Sequence, residues 1–170
     1  VTLAQVRAIL VWLMFASSFF VLIEPAPADL LFLLVLACFL GSGLTVGAAV
    51  VPLALFLLLY NFGGFISFLR VTDDHRAMMF VITSFYMACS AVFFSFYIAH
   101  DPLRRMPVIK NGLIIAAVAA SVLGILGYFN VAGMSGIFSL YSRAVSTFKD
   151  PNVFATYLLF PGVMLVQGFL

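Results

Sequence analysis

Long apolar runs broken by short polar clusters set the plan of this chain. Five runs, near residues 8–23, 30–44, 47–69, 77–99 and 108–128, predict membrane-spanning helices, and a sixth covers 151–170. Leu30 to Leu69 carries no charge. That stretch is too long for one span of about 20 residues and enough for two short ones. The break is expected near Gly41-Ser42-Gly43-Leu44-Thr45. Gly43 and Gly47 form a GxxxG there, which reads as a tight turn before it reads as a helix-packing face.

The polar clusters predict the connections. Glu24-Pro25-Ala26-Pro27-Ala28-Asp29 ends the first run. Ala26-Pro27-Ala28 also resembles a small-residue cleavage site, but the favoured reading is a retained first helix. In Arg70 to Arg76, Asp73 or Asp74 suits an N-cap for the next helix. The helix after it is rich in aromatics, from Phe80 to Tyr97, which would face lipid or neighbouring helices, or line a groove for an acyl or polyprenyl tail. His100 to Pro107, with two prolines and two arginines, predicts a loop. Gly133 to Gly136 predicts a turn. Ile137, Tyr141, Val145 and Phe148 then recur at helical spacing, so 136–148 is expected to be a short amphipathic helix in the membrane interface.

Composition agrees with this pattern. The 170 residues are 65% hydrophobic and 8% charged, with a mean hydropathy of +1.25. Such usage belongs to polytopic membrane proteins. The expected fold is therefore an all-α transmembrane bundle of about six spans. A net charge of +2 is too small to imply nucleic acid. Cys38 and Cys89 fall in apolar runs and read as small buried hydrophobes, not a disulfide. The chain starts at Val1 and stops at Leu170 inside an apolar run, so it is read as the N-terminal part of a longer membrane protein.

Charge placement then sets the topology. With the N-terminus inside, cytoplasmic segments hold Arg7, Arg104, Arg105 and Lys110. External segments hold Arg70, Arg76, Arg143 and Lys149, together with Glu24, Asp29, Asp73, Asp74 and Asp150. The cations tie, and the densest basic loop, Arg104 to Lys110, decides for N-inside. None of the first five spans has an ionisable Asp, Glu, Lys, Arg or His in its interior, which argues against an ion-coupled transporter.

Candidate chemistry concentrates at Ser142 to Ala155. Asp150 suits an N-cap, its carboxylate accepting from the N–H of Val153, and Pro151 suits the first helical position. The positive end of that helix would lie beside Arg143 and Lys149, and Asn152 adds an amide. Together they suit an anion, phosphate above all. Arg70 and Arg76 are further candidates for a lipid phosphate, with interface anchoring as the simpler role. Asp73, Asp74 and His75 are consecutive and poorly placed to converge on a metal. No metal or other cofactor is expected.

At Thr147-Phe148-Lys149-Asp150-Pro151-Asn152-Val153-Phe154-Ala155 the sequence resembles the O-antigen ligase and polysaccharide polymerase family of bacterial inner-membrane proteins. That family has a similar T/S-F-x-D/N-P-N-x-x-A segment opening a transmembrane helix. The resemblance implies a GT-C-like membrane glycosyltransferase. Such an enzyme takes glycan from an undecaprenyl-diphosphate donor at the periplasmic face and passes it to lipid A-core or to another lipid-linked glycan. It implies a diphosphate-binding role for Arg143. The family's proposed base, a histidine in a large later loop, has no counterpart here, because neither His75 nor His100 matches it. Two other readings remain: a non-enzymatic lipid or glycan permease of flippase type, and a small structural subunit.

Overall fold

The computed structural model describes residues 2–41 and 47–168. It is mostly helical, in the order α1 (Leu3–Ala16), α2 (Pro27–Leu40), α3 (Val51–Phe68), α4 (His75–His100), α5 (Pro102–Tyr128), α6 (Ser135–Phe138), β1 (Ser139–Leu140), β2 (Arg143–Ala144) and α7 (Pro151–Gln167). The segment Ala48–Phe68 (α3 with a preceding 3-10 turn), α4 and α5 are long and apolar enough to cross a membrane. Helices α1, α2 and α7 are apolar but shorter. At 14 residues, α1 and α2 each rise about 21 Å, short of a hydrocarbon core of about 30 Å. The expected break around Gly43 lies outside the described residues.

The chain divides into two compact units, residues 1–41 with 104–170 and residues 42–103. In the second unit α3 and α4 pack on each other. Asp74 caps α4 by accepting from the Arg76 N–H at 2.8 Å. Phe93 and Tyr97 are its buried side chains and stack with ring centroids 6.2 Å apart.

The first unit is organised around α5. Gly112, Ala116, Ala120 and Gly124 fall every four residues on one face and are all buried. A Cβ at Gly112 would lie 2.8 Å from Phe15 Cβ and 3.0 Å from the Trp12 carbonyl, so α1 approaches the α5 backbone directly. A Cβ at Gly124 would lie 3.0 Å from the Phe154 ring of α7. This is the small-residue packing by which membrane helices come close when hydrophobicity cannot drive them together. At the other end of the pair, Lys110 Nζ lies beside Gly168, at the end of α7. Helices α5 and α7 are therefore antiparallel.

Several boundaries differ from the sequence expectation. Helix α1 stops at Ala16 instead of running to residue 23. There the Ser17 hydroxyl donates to the Met14 carbonyl at 3.1 Å, and Ser18 bonds the Phe15 carbonyl at 2.7 Å. Serine hydroxyls that take up helix carbonyls offer the backbone a way out of the helix. Helix α5 begins at Pro102 instead of near residue 108, so Arg104, Arg105 and Pro107 lie in its first turns. Pro102 is suited to a helix start because it gives up no needed donor.

The largest difference is at 136–148. The expected interfacial helix is a single turn, α6, followed by a β-hairpin pairing Ser139 with Ala144 and Leu140 with Arg143. The hairpin loop is Tyr141-Ser142, with φ of 50° and 60°. Two left-handed residues in a two-residue loop match the right-handed twist of the strands. Tyr141 is consequently exposed, while Val145 and Phe148 turn inward and pack with Ala120 and Phe154. Cys38 and Cys89 are not joined in a disulfide, and both are partly exposed.

Candidate functional site

The hairpin and the start of α7 build one polar end of the first unit. Gly127 lets this happen. A Cβ there would stand 2.5 Å from Phe138 Cβ and 2.8 Å from the Phe138 carbonyl, so only glycine admits the base of the hairpin against α5. The Phe138 carbonyl in turn accepts from the N–H groups of Val145 at 3.0 Å and Ser146 at 3.1 Å. These bonds fix where strand β2 delivers Arg143.

Below the hairpin, residues 145–148 are inserted into the unit. Phe148 stacks on Phe154 at 5.7 Å and tilts against Tyr157 at 4.9 Å. Thr147 is buried and its hydroxyl donates to the Phe19 carbonyl. The Tyr157 and Ser18 hydroxyls are 2.8 Å apart. Ser146 is fully buried in the left-handed region, with its hydroxyl unpartnered.

Above this buried layer lie the predicted residues. Arg143 is exposed, and its Nη2 donates to Asn152 Oδ1 at 3.2 Å. Asp150 is the N-cap of α7, and Pro151 is the first helical residue. The Asp150 carboxylate accepts from the Asn152 N–H at 2.7 Å, one residue earlier than the Val153 N–H expected. Lys149 forms an exposed ion pair with Glu24. Its charge is therefore shared with an acid in this structure. Arg143, Asp150, Pro151 and Asn152 come together as the sequence predicted. Arg70 and Arg76 belong to the second unit, where both are exposed.

Sequence reasoning missed an open cleft of about 560 Å³ beside the hairpin, lined by Tyr128, Ser135, Gly136, Ser139 and Ser142. Four hydroxyls face it and no charge does. Ser139 Oγ donates to the Arg143 carbonyl at 3.1 Å, which ties the cleft wall to the arginine strand. Ser135, Ser139 and Ser142 are visible in the sequence, but a helical reading of 136–148 only lines them along a helix face and gives no hairpin to form a cleft wall with Tyr128. Among the described residues no group of His, Cys, Asp and Glu is placed to hold a metal.

Chemically, the end of α7 combines a helix N-terminus, an exposed guanidinium and an amide, beside a wall of neutral hydroxyls. The first three suit a phosphate and the last suits a polyhydroxylated ligand. No protein-family model, curated protein or solved structure matches the chain.

Proposed function

We propose that the chain is part of a membrane glycosyltransferase of the O-antigen ligase and polysaccharide polymerase type. It would engage undecaprenyl-diphosphate-linked glycan at the periplasmic face of the bacterial inner membrane. The transfer would be to lipid A-core or to a second lipid-linked glycan. The observation that carries this reading is the exposed Arg143 guanidinium, held by Asn152 at the opening of α7. Only one donor is spent on Asn152, and the others remain for diphosphate oxygens. The positive end of the α7 dipole adds to the same field.

Two further features support it. The hydroxyl-lined cleft next to Arg143 offers hydrogen bonds to sugar hydroxyls. Charge also differs between the ends of the first unit. One end has Arg7, Arg104, Arg105 and Lys110; the other has Arg143 and Lys149 offset by Glu24, Asp29 and Asp150. By the positive-inside tendency the Arg143 end is the external one.

The test is Arg143→Ala in the full-length protein, read as glycan ladders on a gel with membrane levels quantified in parallel. The expected outcome is lost glycan assembly at normal protein level. Wild-type ladders would remove the diphosphate role.

A further inference from the structure

The cleft beside the hairpin has a lining that the diphosphate role of Arg143 does not use. Its volume of about 560 Å³ falls within the roughly 300–1,000 Å³ of clefts that hold small molecules. Most such clefts are lined by apolar side chains, and this one is not. Tyr128, Ser135, Ser139 and Ser142 bring hydroxyls to it, Gly136 leaves a gap in the wall, and no charged residue lines it. A ligand matched to that lining is uncharged and carries hydrogen-bonding groups over much of its surface.

The walls are held in place. Asn130 Oδ1 accepts from the Ser135 N–H at 3.2 Å, and Ser139 Oγ donates to the Arg143 carbonyl at 3.1 Å. The hairpin loop fixes Ser142 in the left-handed region. A cleft set in advance spends less of its binding energy on ordering its own groups. The Ser139 bond also sets polarity. A hydroxyl has one proton, so Ser139 has only lone pairs left for a ligand. Those lone pairs need a ligand O–H, and a carboxylate has none to give. Among the described residues the Ser135 and Ser142 hydroxyls make no hydrogen bond within the chain, so they can donate or accept. Tyr128 adds an aromatic surface. It is 57% exposed, and its edge-to-face contact with Phe129, centroids 5.2 Å apart, covers at most one face of the ring. An exposed aromatic face suits the apolar C–H side that a pyranose ring carries between its hydroxyls.

We propose that this cleft binds an uncharged sugar ring, stacked on Tyr128 and held through its hydroxyls by Ser135, Ser139 and Ser142. The site rests on the glycan reading for why a sugar is present, and it narrows the substrate: the sugar nearest the diphosphate is neutral, not a uronic or other acidic sugar.

The test is saturation-transfer difference NMR on the full-length protein in a detergent without a sugar headgroup. The probes are the methyl glycosides of glucose and galactose, the matching glucuronide and galacturonide, and glycerol, each added alone. Saturation is expected to reach the ring C–H protons of at least one neutral glycoside, and to be several-fold weaker or absent for its acidic counterpart and for glycerol. Tyr128→Leu removes the stacking surface and should abolish the signal. Gly136→Leu adds a side chain at the cleft wall where a Cβ meets nothing within 4 Å, so the fold tolerates it and the signal should fall. Gly63→Leu, in the second unit, should leave it unchanged. Three results each overturn the site: no transfer in the wild type, equal transfer to glycerol or to the acidic counterpart, or a signal undiminished in either cleft variant. No diphosphate enters this experiment. Wild-type ladders from Arg143→Ala would remove the diphosphate role and leave a glycoside signal in place. A missing glycoside signal would leave the Arg143→Ala result standing, so the two failures are separable.

Discussion

Helices α4 and α5 are near twins by length and hydropathy, yet they sit in their units differently. They have 26 and 27 residues and peak hydropathies of 1.9 and 2.0. Only 6% of the α4 window is buried, against 33% of the α5 window. The difference lies in side-chain size. Helix α4 shows Phe80, Phe85 and Met87 on its surface, each more than half exposed. Helix α5 shows a ladder of Gly and Ala, against which α1 and α7 close. In a bilayer large apolar side chains are as content against lipid as against protein, so bulk does not draw helices together. Small residues do, because they let backbones and rings approach.

The largest expected effect tests that contrast directly. Gly127→Leu would force a side chain into the Phe138 backbone, whereas Gly63 in α3 has nothing within 4 Å of its Cβ position. Gly127→Leu should cost about 3 kcal/mol and displace the hairpin that carries Arg143. Gly63→Leu should stay within about 0.5 kcal/mol. Thermal unfolding of both variants in detergent checks this. Equal losses would mean that the close approach of Phe138 at Gly127 does not organise the first unit.

How far the sequence disclosed this architecture follows the same divide. In the second unit α3, α4 and the Asp74 cap were legible, because hydropathy and local capping rules decide them. In the first unit Asp150-Pro151 at the start of α7 was legible for the same reason. The hairpin was not. A two-residue loop of this shape is usually announced by Asn-Gly, and here it is Tyr141-Ser142. Ile137, Tyr141, Val145 and Phe148 fit a helix by spacing, but Ile137 and Tyr141 face outward while Val145 and Phe148 are buried. The small-residue ladder of α5 is readable from the four-residue period of Gly112, Ala116, Ala120 and Gly124, but the period alone does not say which helices close on it. The partner of Lys149 is Glu24, and no local rule connects residues so far apart in sequence.

A second, smaller effect concerns strain. Every non-glycine residue in the left-handed region among the described residues lies between Asn130 and Ser146, in the first unit. Ser146 combines that conformation with a buried, unpartnered hydroxyl. Ser146→Gly removes both burdens and should stabilise the fold by about 1 kcal/mol. Ser95→Gly, inside α4 and more than a turn from its end, should instead destabilise by a similar amount, since glycine weakens a helix interior. Opposite signs in parallel melts would establish that the polar end of the first unit is held in place against local preference. Matching signs would show that the Ser146 backbone carries no strain.

The smallest effect is at the Lys149–Glu24 pair. Its side chains are 68% and 73% exposed, and exposed pairs contribute between nothing and about 1 kcal/mol. Lys149→Ala should therefore leave the melting midpoint within a degree or so of wild type. Its functional effect separates two uses of the same charge. If Lys149 serves only as a tether for the segment around Glu24, Glu24→Gln should reproduce whatever Lys149→Ala does to glycan assembly. If the lysine must leave Glu24 to meet the diphosphate, Glu24→Gln should free it and raise assembly while Lys149→Ala lowers it. The second pattern is the one expected, because a weak surface pair is easily exchanged for a doubly charged phosphate group.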